Sequence, residues 1–213
     1  MMLLKDRVAV VTGGTRGIGY AIVKKYLENG AKVVLFGSKE ESVNKAVQSL
    51  KAENPDWVVE GMWPNLTDSE EMEQAIAKVG EKYGRLDILV NNAGVSQSTK
   101  LEDYQPEDFA GIMNLNVNAL FNAIQPAVKI MRAQGGGVIL NTSSMVSISG
   151  QPSGVGYPGG GGTDRRGQGP DRRGRRHVDE GDGQGDGRGF EEARGPRRRQ
   201  GHFGQSPGAV GLR

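Results

Sequence analysis

Cysteine is absent from these 213 residues, so neither a disulfide framework nor thiolate chemistry is open to the chain. A reducing interior suits such a protein, and a cytoplasmic location is the expectation. No apolar run approaches the roughly 20 residues that span a bilayer, and the stretch from Met1 to Arg7 is too short and too charged for a signal peptide. Lysine is missing after Lys129, although arginine is plentiful there. That local absence marks a change in the text of the chain.

Residues 1–157 carry 15 Lys and Arg against 17 Asp and Glu, a net charge of −2, whereas residues 158–213 carry 12 Arg against 8 acids, a net of +4. Half of the 34 glycines fall in the last 56 residues. Val178, Phe190, Phe203, Val210 and Leu212 are nearly the only large apolar side chains there. No period of 2 or 3.6 survives, and so little burial cannot offset chain entropy. The expected organisation is one α/β domain over residues 1–157, followed by a disordered, low-complexity Gly/Arg-rich tail over 158–213.

The domain is organised around residues 8–20, VAVVTGGTRGIGY. The apolar run Val8–Val11 reads as a buried strand. Gly13, Gly14, Thr15, Arg16, Gly17, Ile18 and Gly19 form a glycine-rich turn, and Ala21, Ile22, Tyr26 and Leu27 then recur at helical spacing. Strand, glycine turn and helix make a phosphate cradle: backbone N–H groups at a helix start face an anion that a Cβ would keep away. Further strands are predicted over 32–37, 57–63, 86–90 and 138–144. Helices are predicted over 40–52 and 69–83, with one long helical region over 106–133. That alternation predicts a doubly wound parallel sheet of Rossmann type, with ligands at the carboxyl ends of its strands.

Thr12–Gly19, the run Asn91-Asn92-Ala93-Gly94, Asn116, and Ser144 followed thirteen residues later by Tyr157 stand in order on these elements. Together they identify residues 5–157 as resembling the short-chain dehydrogenase/reductase family. The resemblance implies an NAD(P)-dependent oxidoreductase that interconverts a secondary alcohol and a ketone, with a small-molecule substrate and a homotetrameric assembly. It implies that Tyr157 moves the proton, that Ser144 hydrogen-bonds the substrate oxygen, and that Asn116 helps hold the proton relay. A phenol with a pKa near 10 needs a neighbouring cation to ionise. The family's cation is a lysine four residues on, and that position here is Gly161. The fold is thus expected to be incomplete after Tyr157, lacking the sixth and seventh strands that close the substrate pocket and build the tetramer.

The cofactor-binding residues implied are Gly13, Thr15, Arg16, Gly17, Ile18, Gly19, Ser38, Lys39, Asn65, Leu66, Asn92, Ala93 and Gly94; no metal is implied. No carboxylate follows the second strand until Glu40, while Arg16 and Lys39 could face a 2′-phosphate, so NADP(H) is favoured over NAD(H). Thr12 reads as a structural turn residue, and Asn92 as a tie between strands. The runs Phe36-Gly37, residues 83–87 (YGRLD) and residues 153–158 (SGVGYP) are similar to bacterial bile-acid 3α-hydroxysteroid dehydrogenases, and then to 3-oxoacyl-carrier-protein reductases. The first group uses NAD(H), and some of its members carry an acid where Ser42 stands. Two other functions remain open. One is a nucleotide-binding fragment without turnover. The other is nucleic-acid binding through the Arg/Gly tail, which a net charge of only +4 and two phenylalanines disfavour. The abrupt break at Pro158 reads as out-of-frame text.

Overall fold

The computed structural model describes residues 2–146. Ser144 lies within that range, whereas Tyr157, Gly161 and the tail lie outside it. Five strands, β1 (Val8–Thr12), β2 (Lys32–Phe36), β3 (Val59–Met62), β4 (Ile88–Asn91) and β5 (Val138–Asn141), form one sheet in the order β3-β2-β1-β4-β5. Every pairing is parallel: Val10 lies opposite Val34 on one side and Leu89 on the other. Parallel strands need crossovers, which the helices α1 (Gly17–Glu28), α2 (Glu40–Glu53), α3 (Ser69–Tyr83), α4 (Pro106–Met113) and α5 (Ala119–Ala133) supply.

Val8–Val11 of β1 and Val33–Phe36 of β2 are unbroken apolar runs because helices cover both faces of the sheet there. Ala9, Val11, Val33 and Leu35 pack under Val23 and Leu27 of α1 and Val43 and Leu50 of α2. Val8, Val10, Val34 and Phe36 pack instead under Met72, Ile76 and Val79 of α3 and Ala123 and Ala127 of α5. The alternation along β1 therefore divides the core into two layers, as expected of a doubly wound sheet.

At the end of the sheet away from the glycine turn, Asp87 precedes β4 with its side chain 8% exposed. Its carboxylate accepts from Arg7 Nη1 at 2.8 Å, from the Val8 N–H at 2.9 Å, and from Arg85 Nε and Nη2 at 2.8 and 2.5 Å. Burial opposes its ionisation, but the bonds from Arg85, Val8 and Arg7 outweigh it and pull the pKa down to about 2.

Several elements differ from the sequence expectation, β4 among them, which runs from Ile88 to Asn91 rather than over 86–90. β3 begins at Val59 rather than Trp57, because Asn54 folds residues 54–57 into a turn, accepting from the Asp56 N–H at 3.0 Å. β5 ends at Asn141, with one further ladder bond from the Thr142 N–H to the Asn91 carbonyl at 2.9 Å. The helical region over 106–133 is interrupted by a π-helical turn, Asn114–Asn118, between α4 and α5. Such widened turns let a side chain inside a helix reach a partner that regular geometry would miss.

Candidate active site

The strand order reverses between β1 and β4, and the sheet opens there at the carboxyl ends of its strands. Thr12, the last residue of β1, is buried and ties the two ends together. Its hydroxyl oxygen accepts from the N–H groups of Asn92 and Ala93, both at 3.1 Å, and its proton points to the Val90 carbonyl at 3.5 Å. Asn92 returns the tie, its Nδ2 donating to the carbonyls of Thr12 and Gly13 at 3.3 and 3.4 Å. Asn91 Nδ2 extends the lacing to β5 by donating to Asn141 Oδ1 at 2.9 Å. These contacts agree with the structural roles expected of Thr12 and Asn92.

Above the lacing lies a cleft of about 810 Å³. Its floor is the glycine turn. A Cβ on Gly19 would overlap the Gly13 carbonyl oxygen and come within 2.6 Å of Asn92 Nδ2, so the close approach of α1 to the turn requires glycine. Gly17 has a φ of +56°, and a Cβ there would meet nothing within 4 Å. Arg16, at the N-cap of α1, makes no side-chain capping bond. The first-turn N–H donors of that helix are thus left facing the cleft, in contrast to α3, where Asp68 caps the N–H groups of Glu70 and Glu71 at 2.9 and 3.0 Å. An open helix start beside positions that exclude side chains fits the pyrophosphate of a dinucleotide.

All the expected cofactor residues except Lys39 line this cleft. Gly37 and Ser38 close it beyond β2, and Asn65 and Leu66 beyond β3. Asn65 Oδ1 accepts from the Thr67 N–H at 3.1 Å and the Thr67 hydroxyl at 2.8 Å. A backbone N–H can only donate, so the amide orientation is fixed and the Asn65 amino group, a pure donor, is the end left for a ligand. An aspartate there would offer acceptors instead. Arg16 and Lys39 are exposed and have no ion-pair partner among the described residues.

Asn116 sits in the π-helical turn and spans one residue with both ends of its amide. Its Oδ1 accepts from the Val95 N–H at 2.9 Å and its Nδ2 donates to the Val95 carbonyl at 2.8 Å. The side chain thereby clamps the strand-end loop that carries Ala93 and Gly94. Ser144 follows β5, half-buried, its Oγ accepting from the Val146 N–H at 3.4 Å. Asn116 and Ser144 do not line the cleft themselves, although Leu115 beside Asn116 does.

Trp63, Pro64, Glu71, Val95 and Leu115 also line the cleft and were not anticipated. Glu71 had a signal: the Asp68-x-x-Glu71 spacing marks a helix start with a carboxylate reaching backwards. Here it reaches past the cap, and Glu71 Oε2 accepts from the Asn65 N–H at 2.8 Å.

Sheet order, switch point and glycine turn define a doubly wound α/β protein of Rossmann type. The chain matches the short chain dehydrogenase family over residues 7–160, and it belongs to that family. It is 59% identical over 157 residues to a 3alpha-hydroxysteroid dehydrogenase of Mediterraneibacter gnavus, covering 74% of this chain and 63% of that one. It is 35% identical over 156 residues to a 3-oxoacyl-acyl-carrier-protein reductase of Thermotoga maritima, covering 73% of this chain and 63% of the relative. Among solved structures, a short chain dehydrogenase from Mycobacterium smegmatis superposes with a TM-score of 0.72 at 31% identity, covering 76% of this chain and 68% of that one. An NAD+-bound xylitol dehydrogenase superposes with a TM-score of 0.71 at 27% identity, covering 75% and 61%. The chain thus spans a little under two thirds of the length of these curated relatives.

Proposed function

We propose that the cleft takes a nicotinamide dinucleotide, with NADP(H) preferred, for interconversion of a secondary alcohol and a ketone of hydroxysteroid or 3-oxoacyl type. The observation that carries this reading is the convergence of the glycine turn, the ends of β2 and β3, and Asn92–Gly94 on one cleft. The first-turn N–H groups of α1 would hold the pyrophosphate, and Arg16 in the cleft, with Lys39 nearby in sequence beyond β2, neither ion-paired among the described residues, favours a 2′-phosphate. The bound nicotinamide supplies or accepts the hydride. Ser144 would orient the carbonyl oxygen, Tyr157 would deliver or remove its proton, and Asn116 would hold the relay by fixing the loop at Val95. The sequence has Gly161 where the family's lysine stands, so turnover by this chain is expected to be very low.

Titration of the purified chain with NADP+ and NAD+, followed by reductase assays on a steroid ketone and an acetoacetyl thioester, tests the reading. Tighter NADP+ binding with little turnover is the expected result. Equal affinity for the two nucleotides, unchanged in Arg16→Glu, would remove the cofactor preference. The family match stops at residue 160, close to where arginine and glycine take over. This supports the reading that residues 158–213 are out of frame; an intact reading frame on resequencing would end it. A homotetramer, the assembly implied by the family, would appear in sedimentation, and it is expected to be impaired in this chain.

A further inference from the structure

Trp63 stands one residue past β3, 45% exposed, and lines the cleft beside Pro64 and Asn65. It is the one aromatic side chain among the described residues that line the cleft. The backbone on either side of it is held in place. The Gly37 N–H donates to the Met62 carbonyl at 3.0 Å, tying the ends of β2 and β3 together. Pro64 confines the Trp63 backbone to extended conformations, and Glu71 anchors the Asn65 N–H. Trp63 also lines a second hollow, of about 380 Å³, with Gln74 and Lys78, so cavity opens beside it in two directions.

The place of this ring follows from the sheet order. A dinucleotide with its pyrophosphate at α1 sends one half over β4 and β5, toward Ser144, and the other over β2 and β3. The reacting half belongs beside Ser144, so the purine half lies toward Trp63. A large, rigid and half-exposed ring is costly in water and gains most from covering by a flat aromatic partner. Resting on the dinucleotide reading of the cleft, we propose that Trp63 is the stacking surface for the purine and sets much of the affinity at that end.

The chain has two tryptophans, and the other, Trp57, packs against the core. In Trp57→Phe, Trp63 is therefore the only indole emitter. AMP is expected to quench its fluorescence, nicotinamide mononucleotide is not, and the AMP signal is expected to vanish in Trp63→Phe. Equilibrium dialysis supplies the affinities: Trp63→Leu, which keeps apolar bulk, should weaken AMP and NADP+ roughly tenfold, and Trp63→Phe should restore most of the loss. Unchanged AMP affinity in Trp63→Leu, with NADP+ still bound, overturns the role of Trp63 and leaves the cleft reading standing. Quenching by the mononucleotide equal to that by AMP also overturns it, by placing the wrong half of the cofactor there. A chain that is folded by circular dichroism and binds no nucleotide overturns both readings.

Discussion

Replacing Asp87 with Asn keeps the shape of the side chain and removes the charge that Arg7, Arg85 and the Val8 N–H surround. The folded-state pKa is about 2, against an ordinary value of 3.8. The difference corresponds to about 2 kcal/mol of stability at pH 7. Because the folded pKa is the lower one, this contribution is fully present above the unfolded value and is lost as pH falls toward 2. Around pH 3 about half of it remains. Arg7 and Arg85 are about half exposed, so the variant leaves no buried unpaired cation. Urea unfolding of both proteins from pH 7 to pH 3 isolates the effect, since every other carboxylate is common to both and cancels in the difference. The wild type should be more stable by about 2 kcal/mol at pH 7, with the gap shrinking to about 1 kcal/mol at pH 3. A gap of constant size across that range would refute the electrostatic reasoning and assign the loss to packing. Nucleotide affinity at pH 7 should stay unchanged, because Asp87 lies at the opposite end of the sheet from the cleft.

Gly19→Ala places a methyl against the Gly13 carbonyl and Asn92 Nδ2, so calorimetric titration should show nucleotide affinity falling by at least roughly tenfold. Thr12→Val keeps the shape but leaves the N–H groups of Asn92 and Ala93 without their acceptor; denaturant unfolding should report a loss of about 2 to 3 kcal/mol. Asn116→Ala removes both bonds to Val95, and the Val95 amide, followed by NMR hydrogen exchange, should lose protection while Val10 and Val34 in the central strands keep theirs.

The architecture was legible because apolar runs and helical periods are local properties. Val8–Val11 and Lys32–Phe36 are too apolar for one-sided burial, and the alternation with amphipathic helices leaves a parallel sheet as the arrangement that covers them. Element ends were less legible, since they depend on partners distant in sequence. Trp57 has strand composition, yet Asn54 folds residues 54–57 into a turn. The π-helical turn at Asn114–Asn118 is a more telling case. Its residues are compatible with an ordinary helix, and the Asn116–Val95 pairing that accompanies it joins residues 21 apart.

The same distinction runs through the cleft. A phosphate cradle is made of backbone, and backbone geometry writes itself into sequence as glycine: the crowding at Gly19 and the positive φ at Gly17 both exclude ordinary side chains. The purine end is made of side chains on connections, where no such exclusion operates. Trp63 reads from its neighbours as one more apolar residue of a strand. Asn65 is implied at the cofactor by the family resemblance, but only the fold shows Thr67 occupying its oxygen, which leaves only donors for a ligand. Arg16 belongs to both classes: it sits in the turn that glycine announces, yet its value lies in a charge with no partner among the described residues. Substituting it should therefore change which dinucleotide is held and leave the ability to hold one intact, whereas substituting Gly19 should remove that ability for both dinucleotides alike.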